Sequence, residues 1–139
     1  MPTADPRKLV RATYTYTARA GRGRVLARLC QGPLELERLE FSFGYRTRPN
    51  AEGREASYAA ATALADRLAA KGLRRVELLG PDGALAEDLV TRRRLPGSLT
   101  VPYIALGCAL NRFLEGRVGV ADAGALLAVC GAARYPRSA

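Results

Sequence analysis

The stretch from Tyr45 to Arg94, YRTRPNAEGREASYAAATALADRLAAKGLRRVELLGPDGALAEDLVTRRR, sets a strand end, a long helix, a strand and a short helix in direct succession. Asn50 is a candidate N-cap, and Ser57, Ala60, Ala61, Leu64 and Leu68 share one face of a helical wheel. That spacing predicts a helix from Asn50 to Lys71, with Gly72 as the stop residue. Leu73 to Leu79 is apolar at Leu73, Val76, Leu78 and Leu79, the pattern of a buried central strand. A second helix over Gly83–Arg93 follows at once.

Upstream, Ala12 to Thr17 alternates threonine with tyrosine at a period of two, which predicts a strand. Ala20-Gly21-Arg22-Gly23 supplies a turn, and Arg24 to Cys30 a second strand with Val25, Ala27 and Leu29 inward. After Gln31-Gly32-Pro33, Leu34 to Thr47 predicts a third strand whose apolar face is Leu39, Phe41, Phe43 and Tyr45. Leu34 and Leu36 have the opposite parity, so a bulge is expected near Glu37-Arg38. Three strands joined by short turns make an antiparallel meander. Downstream, a third helix with Pro102 in its first turn is expected to end near Glu115. Gly119 to Ala133 holds a last helix, and Tyr135-Pro136 ends the ordered chain.

The chain of 139 residues has the size of one domain, 1–139, with residues 1–9 and 134–139 expected to fray. Met1 to Lys8 is polar and contains proline, without the apolar segment of a signal peptide, which points to a cytoplasmic protein. The longest apolar run, Val101 to Leu110, is interrupted by Pro102 and Gly107 and is too short to cross a bilayer. Cys30, Cys108 and Cys130 are far apart in apolar neighbourhoods, so buried free thiols are expected. With no histidine, zinc and Ser-His or Cys-His catalysis lack their ligands and bases. The net charge of +9, carried by arginine except at Lys8 and Lys71, suits a polyanionic partner. A compositional bias explains the preference for arginine over lysine, but not the excess of bases over acids.

Thr47, Ala51-Glu52, Tyr58, Ala60, Gly72, the strand Arg75-Val76-Glu77-Leu78-Leu79 and Gly80-Pro81-Asp82 resemble the middle of the ribonuclease H-like superfamily, whose members include type-one ribonucleases H and reverse-transcriptase domains. The resemblance implies an α/β fold: a three-strand antiparallel meander, extended by a parallel fourth strand that pairs with the first, with three to four helices. The family has a fifth strand after the later helices. Only Arg117 to Val120 remains for it here, so it is expected to be vestigial or missing.

The family cleaves with two divalent ions bridged by carboxylates on the first strand, the first helix, the end of the fourth strand and the start of the last helix. Tyr16-Thr17-Ala18-Arg19-Ala20 resembles the family's Tyr-Thr-Asp-Gly-Ala, with Ala18 in place of the bridging aspartate. On the first helix, counting back from Gly72 puts Ser57 at the glutamate position, while counting forward from Thr47 puts Glu52 there. The wheel favours Ser57, which is central on the apolar stripe, whereas Glu55 points opposite and Glu52 lies well off it. Glu52 and Glu55 read first as acids that suit a helix N-terminus. Pro81 takes the fourth-strand aspartate position, and Asp82 beside it reads as helix capping. Ala121-Asp122-Ala123 resembles the family's last acid site, though Asp122 also suits a helix first turn.

These substitutions imply a catalytically silent ribonuclease H-like module, with no cofactor, that binds nucleic acid through arginines. Arg19, Arg22, Arg24, Arg28, Arg46 and Arg48 are the candidate phosphate contacts. Arg92-Arg93-Arg94 is the densest basic cluster, though cations also suit the helix end where it is expected to lie. RNA–DNA hybrid or duplex RNA is the expected partner, and a membrane is not. Two alternatives stand beside this reading. One is an active magnesium- or manganese-dependent nuclease using Glu52, Glu55, Asp82 and Asp122. The other is a self-associating platform, possible as a homodimer, because Tyr103, Ile104, Leu106, Leu110, Phe113 and Leu114 offer more apolar surface than one helix face needs.

Overall fold

In the computed structural model, which describes residues 5, 7–48, 51, 53–91 and 95–138, one five-stranded sheet carries the chain. The elements are β1 (Val10–Arg19), β2 (Arg22–Gln31), β3 (Leu34–Gly44), α1 (Arg54–Ala70), β4 (Arg75–Gly80), α2 (Gly83–Thr91), α3 (Thr100–Leu110), β5 (Glu115–Val120) and α4 (Ala123–Ser138), with a 3-10 turn at Gly97–Leu99 before α3. The strand order is β3-β2-β1-β4-β5, antiparallel among the first three strands and parallel from β1 through β4 to β5.

The hairpin between β1 and β2 closes on Ala20 and Gly21, both at positive φ, the backbone of a two-residue turn that follows the strand twist. Alternation then places Val10, Ala12 and Tyr14 of β1, Val25, Ala27 and Leu29 of β2, Phe41 and Phe43 of β3, and Val76 and Leu78 of β4 in one core. Helix α1 covers that core with Ala60, Ala61, Leu64, Ala65 and Leu68, every one of them fully buried. The alanines let the helix approach closely, and burying each leucine contributes about 1.5–3 kcal/mol. Helix α3 packs against α1, and α4 crosses β1 and β2.

The expected helix face on α1 and its stop at Gly72 (φ 80°) match the structure, but the helix starts later, at Arg54, behind Gly53. Asn50 lies outside the described residues. The bulge falls at Leu36, next to the expected Glu37-Arg38. Leu29 pairs with Glu37 and Cys30 with Glu35, so the extra residue turns Leu36 inward. β3 ends at Gly44, short of Thr47.

The fifth strand is neither vestigial nor missing: Glu115–Val120 pairs with β4 along its whole length. Its sequence, EGRVGV, hides it, because an edge strand with two glycines and few apolar residues has no burial period to read. Helix α3 accordingly stops at Leu110, and the Leu114 amide bonds the Arg74 carbonyl as the chain enters β5. Helix α4 extends through Ser138, past Tyr135-Pro136. Asp5, within the segment expected to fray, exchanges two hydrogen bonds with the buried Gln31. The cysteines are free but not buried: Cys108 is exposed, Cys30 and Cys130 intermediate. No helix among the described residues is long and apolar enough to cross a membrane.

Candidate functional site at the strand ends

The parallel register sets Thr13 level with Leu79, so three residues further on β1 and the chain leaving β4 bring Tyr16 level with Asp82. Ser57 arrives from the first turn of α1. The Tyr16 hydroxyl donates to Asp82 Oδ2 at 2.7 Å, and the Ser57 hydroxyl donates to the same oxygen at 2.6 Å. These groups line a cleft of about 370 Å³ with Arg54, Tyr58 and Pro81. The Tyr16 ring rests edge-on against Phe43, with centroids 6.2 Å apart, which fixes where its hydroxyl points.

Of the positions singled out in the sequence, Ser57, Pro81 and Asp82 lie in this cleft. Tyr16 rather than Ala18 comes from the first strand; Ala18 is exposed and lines another cleft. Asp82 rather than Pro81 carries the polar contact after β4, and its carboxylate receives side-chain hydroxyls where capping was expected. Glu55 does not point outward. It is 5% exposed and accepts the Arg48 backbone N–H at 2.9 Å, because the segment after β3 folds back over the helix start. Asp122 is exposed and caps α4, accepting the Ala125 N–H at 2.8 Å. Glu52 lies outside the described residues. Among the described residues, no three His, Cys, Asp or Glu side chains converge as metal ligands.

A second polar cluster had no sequence signal. Asp88, 6% exposed, accepts the Tyr58 hydroxyl at 2.7 Å and pairs with Arg54. Tyr58 belongs to the family resemblance, but its partner thirty residues away meets it only once α2 folds beside α1.

The hydroxyls of Tyr14, Tyr16 and Tyr58 are pushed well above the ordinary tyrosine range, first by burial and then by the carboxylates of Asp82 (Tyr14, Tyr16) or Asp88 (Tyr58). A folded-state pKa above the unfolded value of about 10 means that the native state holds protons the unfolded chain has released. The contribution of these tyrosines to stability is therefore expected to be level below pH ~10 and to fall as pH rises beyond it. Urea denaturation across that range should show the fall, and Tyr16→Phe should lessen it. A level profile up to strongly alkaline pH contradicts this.

The candidate arginines divide. Arg19, Arg22 and Arg24 line a cleft of about 700 Å³ at the end of the first hairpin, while Arg46 and Arg48 line an adjoining groove beside α1. Arg24 pairs with Glu40 at 2.7 Å and Arg28 with Glu35 at 2.6 Å. The Arg28 hydrogen bond holds the Glu35 carboxyl below its usual range. Arg92, Arg93 and Arg94 lie outside the described residues. On and beyond α3, Leu106 and Phe113 are buried and Tyr103 and Leu110 partly so, which leaves Ile104 and Leu114 as the outward apolar residues of the six.

This architecture is that of known solved structures. RNase H1 of the halophilic archaeon Halobacterium salinarum NRC-1 matches with a TM-score of 0.71 at 16% identity, over 94% of this chain and 99% of that one. The N-terminal RNase H domain of a Mycobacterium tuberculosis protein matches at 0.62 and 15%, over 84% and 88%. LC11-RNase H1, solved in complex with an RNA/DNA hybrid, matches at 0.66 and 10%, over 88% and 91%. The protein has the ribonuclease H-like fold, with its mixed five-stranded sheet and four helices. No protein-family model and no curated protein matches the sequence.

Proposed function

We propose that this chain is a catalytically silent ribonuclease H-like module that binds nucleic acid, RNA–DNA hybrid foremost, through its arginine-rich surface. The observation that carries the reading is the cleft at the strand ends. Where β1, α1 and the end of β4 meet, Tyr16 and Ser57 present hydroxyls to one carboxylate, Asp82. Magnesium and manganese favour sites built from several oxygen ligands, with carboxylates supplying the negative charge. A lone carboxylate oxygen that already accepts two hydroxyls does not suit a two-ion centre. Two other acids, on α1 and α2, are committed elsewhere, Glu55 to a backbone amide and Asp88 to Arg54 and Tyr58.

The surface supports the binding half of the reading. Net charge +9 favours approach to polyanions, and Arg19, Arg22, Arg46 and Arg48 have no ion-pair partner among the described residues. The hybrid bound to LC11-RNase H1, a chain of the same fold, supports hybrid as the partner.

Labelled RNA–DNA hybrid incubated with magnesium or manganese is expected to stay intact, and to bind equally well in EDTA. Calorimetry of the free protein is expected to show no magnesium site. Cleavage that disappears in Asp82→Asn or Asp122→Asn establishes the active nuclease instead. A magnesium isotherm at millimolar or tighter affinity refutes the silent site.

A further inference from the structure

The sheet order leaves β3 at one edge, and between its free side and α1 runs a groove of about 640 Å³ that the hairpin cleft does not account for. We propose that this groove holds a single-stranded extension of the nucleic acid bound at the hairpin. This rests on the nucleic-acid reading above and adds the form of nucleic acid that the module prefers.

Charge is the first support. Arg46, Arg48 and Arg67 line the groove, and none of the three is ion-paired among the described residues. The two acids that also line it are engaged: Glu55 by the Arg48 amide, and Asp66 by Arg112 at 2.8 Å. Arg67 lies over the Phe41 ring, 4.5 Å from its centroid, so its guanidinium is held at the groove wall.

Continuity is the second. Ser42, Phe43 and Gly44 line both this groove and the cleft of Arg19, Arg22 and Arg24. A phosphodiester chain leaving the hairpin cleft passes over that shared rim and meets three more guanidiniums. A volume of about 640 Å³ is that of a small-ligand site. The apolar lining from Phe41, Ala63, Val101 and Pro102 suits unstacked bases, whose faces a duplex would hide. The lining runs along α1 from Glu55 to Ala70, roughly 22 Å of helix, enough for about four nucleotides. An acidic peptide matches the charge of the groove but not its continuity with the hairpin arginines.

The test compares a blunt RNA–DNA hybrid, the same hybrid with a short thymidine overhang, and the thymidine strand alone, by fluorescence anisotropy on the full chain. The overhang is expected to tighten binding about tenfold, the effect of roughly one well-stacked base. Arg67→Ala, and Ala63→Phe as a plug, should each remove that gain and leave the blunt hybrid unchanged. Circular dichroism checks that both variants fold, and Arg67→Ala suffices if the plug does not. Equal affinity for blunt and overhung hybrid overturns the inference, as does a gain that survives both variants, which leaves the groove to a protein segment. If the blunt hybrid does not bind, the nucleic-acid reading fails at the hairpin. The thymidine strand then decides the groove by itself: binding lost in Arg67→Ala sustains it, and no binding ends it.

Discussion

Gly80→Ala is expected to destabilise the protein by about 3 kcal/mol, at the upper end of what overpacking costs, because there is no room for a side chain where β4 ends. A Cβ on Gly80 would fall on the ring and hydroxyl of Tyr14, which is completely buried in the neighbouring strand. Neither group can yield readily. Tyr14 is held by the core around it, and Gly80 lies two residues before Asp82, whose carboxylate is tied to Tyr16 and Ser57. The substitution should therefore loosen the cleft as well as the core.

Tyr14 itself supplies the companion experiment. Its hydroxyl is buried without a hydrogen-bond partner among the described residues, and an unsatisfied buried polar group costs about 1–3 kcal/mol. Tyr14→Phe is thus expected to leave stability unchanged or raise it by about 1 kcal/mol. Tyr14→Leu, although costly alone, should make Gly80→Ala much milder, which a double-mutant cycle in urea would report as coupling. Independent, additive costs would show that Tyr14 is not what excludes a side chain at Gly80.

What the sequence disclosed follows from how local each signal is. The α1 face was legible because a period of 3.6 residues selects Ser57, Ala60, Ala61, Leu64 and Leu68 whatever the rest of the chain does. The meander was legible for the same reason at a period of two. β5 was not, since an exposed edge strand needs its neighbour β4 to define it.

The cleft combines one local signal with one long-range signal. Ser57 sits on the helix stripe and so could be placed, but the choice of Ala18 came from matching Tyr16-Thr17-Ala18 to a family motif. The residue that reaches Asp82 is fixed instead by the register between β1 and β4, a long-range quantity that no local pattern encodes. Placing Pro81 at the family's aspartate position rests on the same local match, and both Pro81 and Asp82 line the cleft. Glu55 misled for another reason. The wheel gives a residue's direction from its own helix, and here burial comes from the segment around Arg48 that covers the helix start.

The second large effect concerns the hairpin arginines. Replacing Arg19 and Arg22 together by alanine is expected to weaken binding to RNA–DNA hybrid by about ten- to a hundredfold at low salt, and to reduce the slope of log K against log salt by about 2. Each guanidinium that meets a phosphate releases about one counterion, so two lost contacts remove about two from the slope. The matched control is Arg24→Ala with Arg28→Ala. It removes the same formal charge, but from groups paired with Glu40 and Glu35. Those pairs are exposed and contribute at most about 1 kcal/mol to stability, so the control folds. Because those guanidiniums already face carboxylates, they should bring fewer phosphates into contact and change the slope by less than 1. If both double variants weaken binding equally and shift the slope by the same amount, the hybrid is responding to net charge alone. The hairpin cleft then has no special claim to the phosphates.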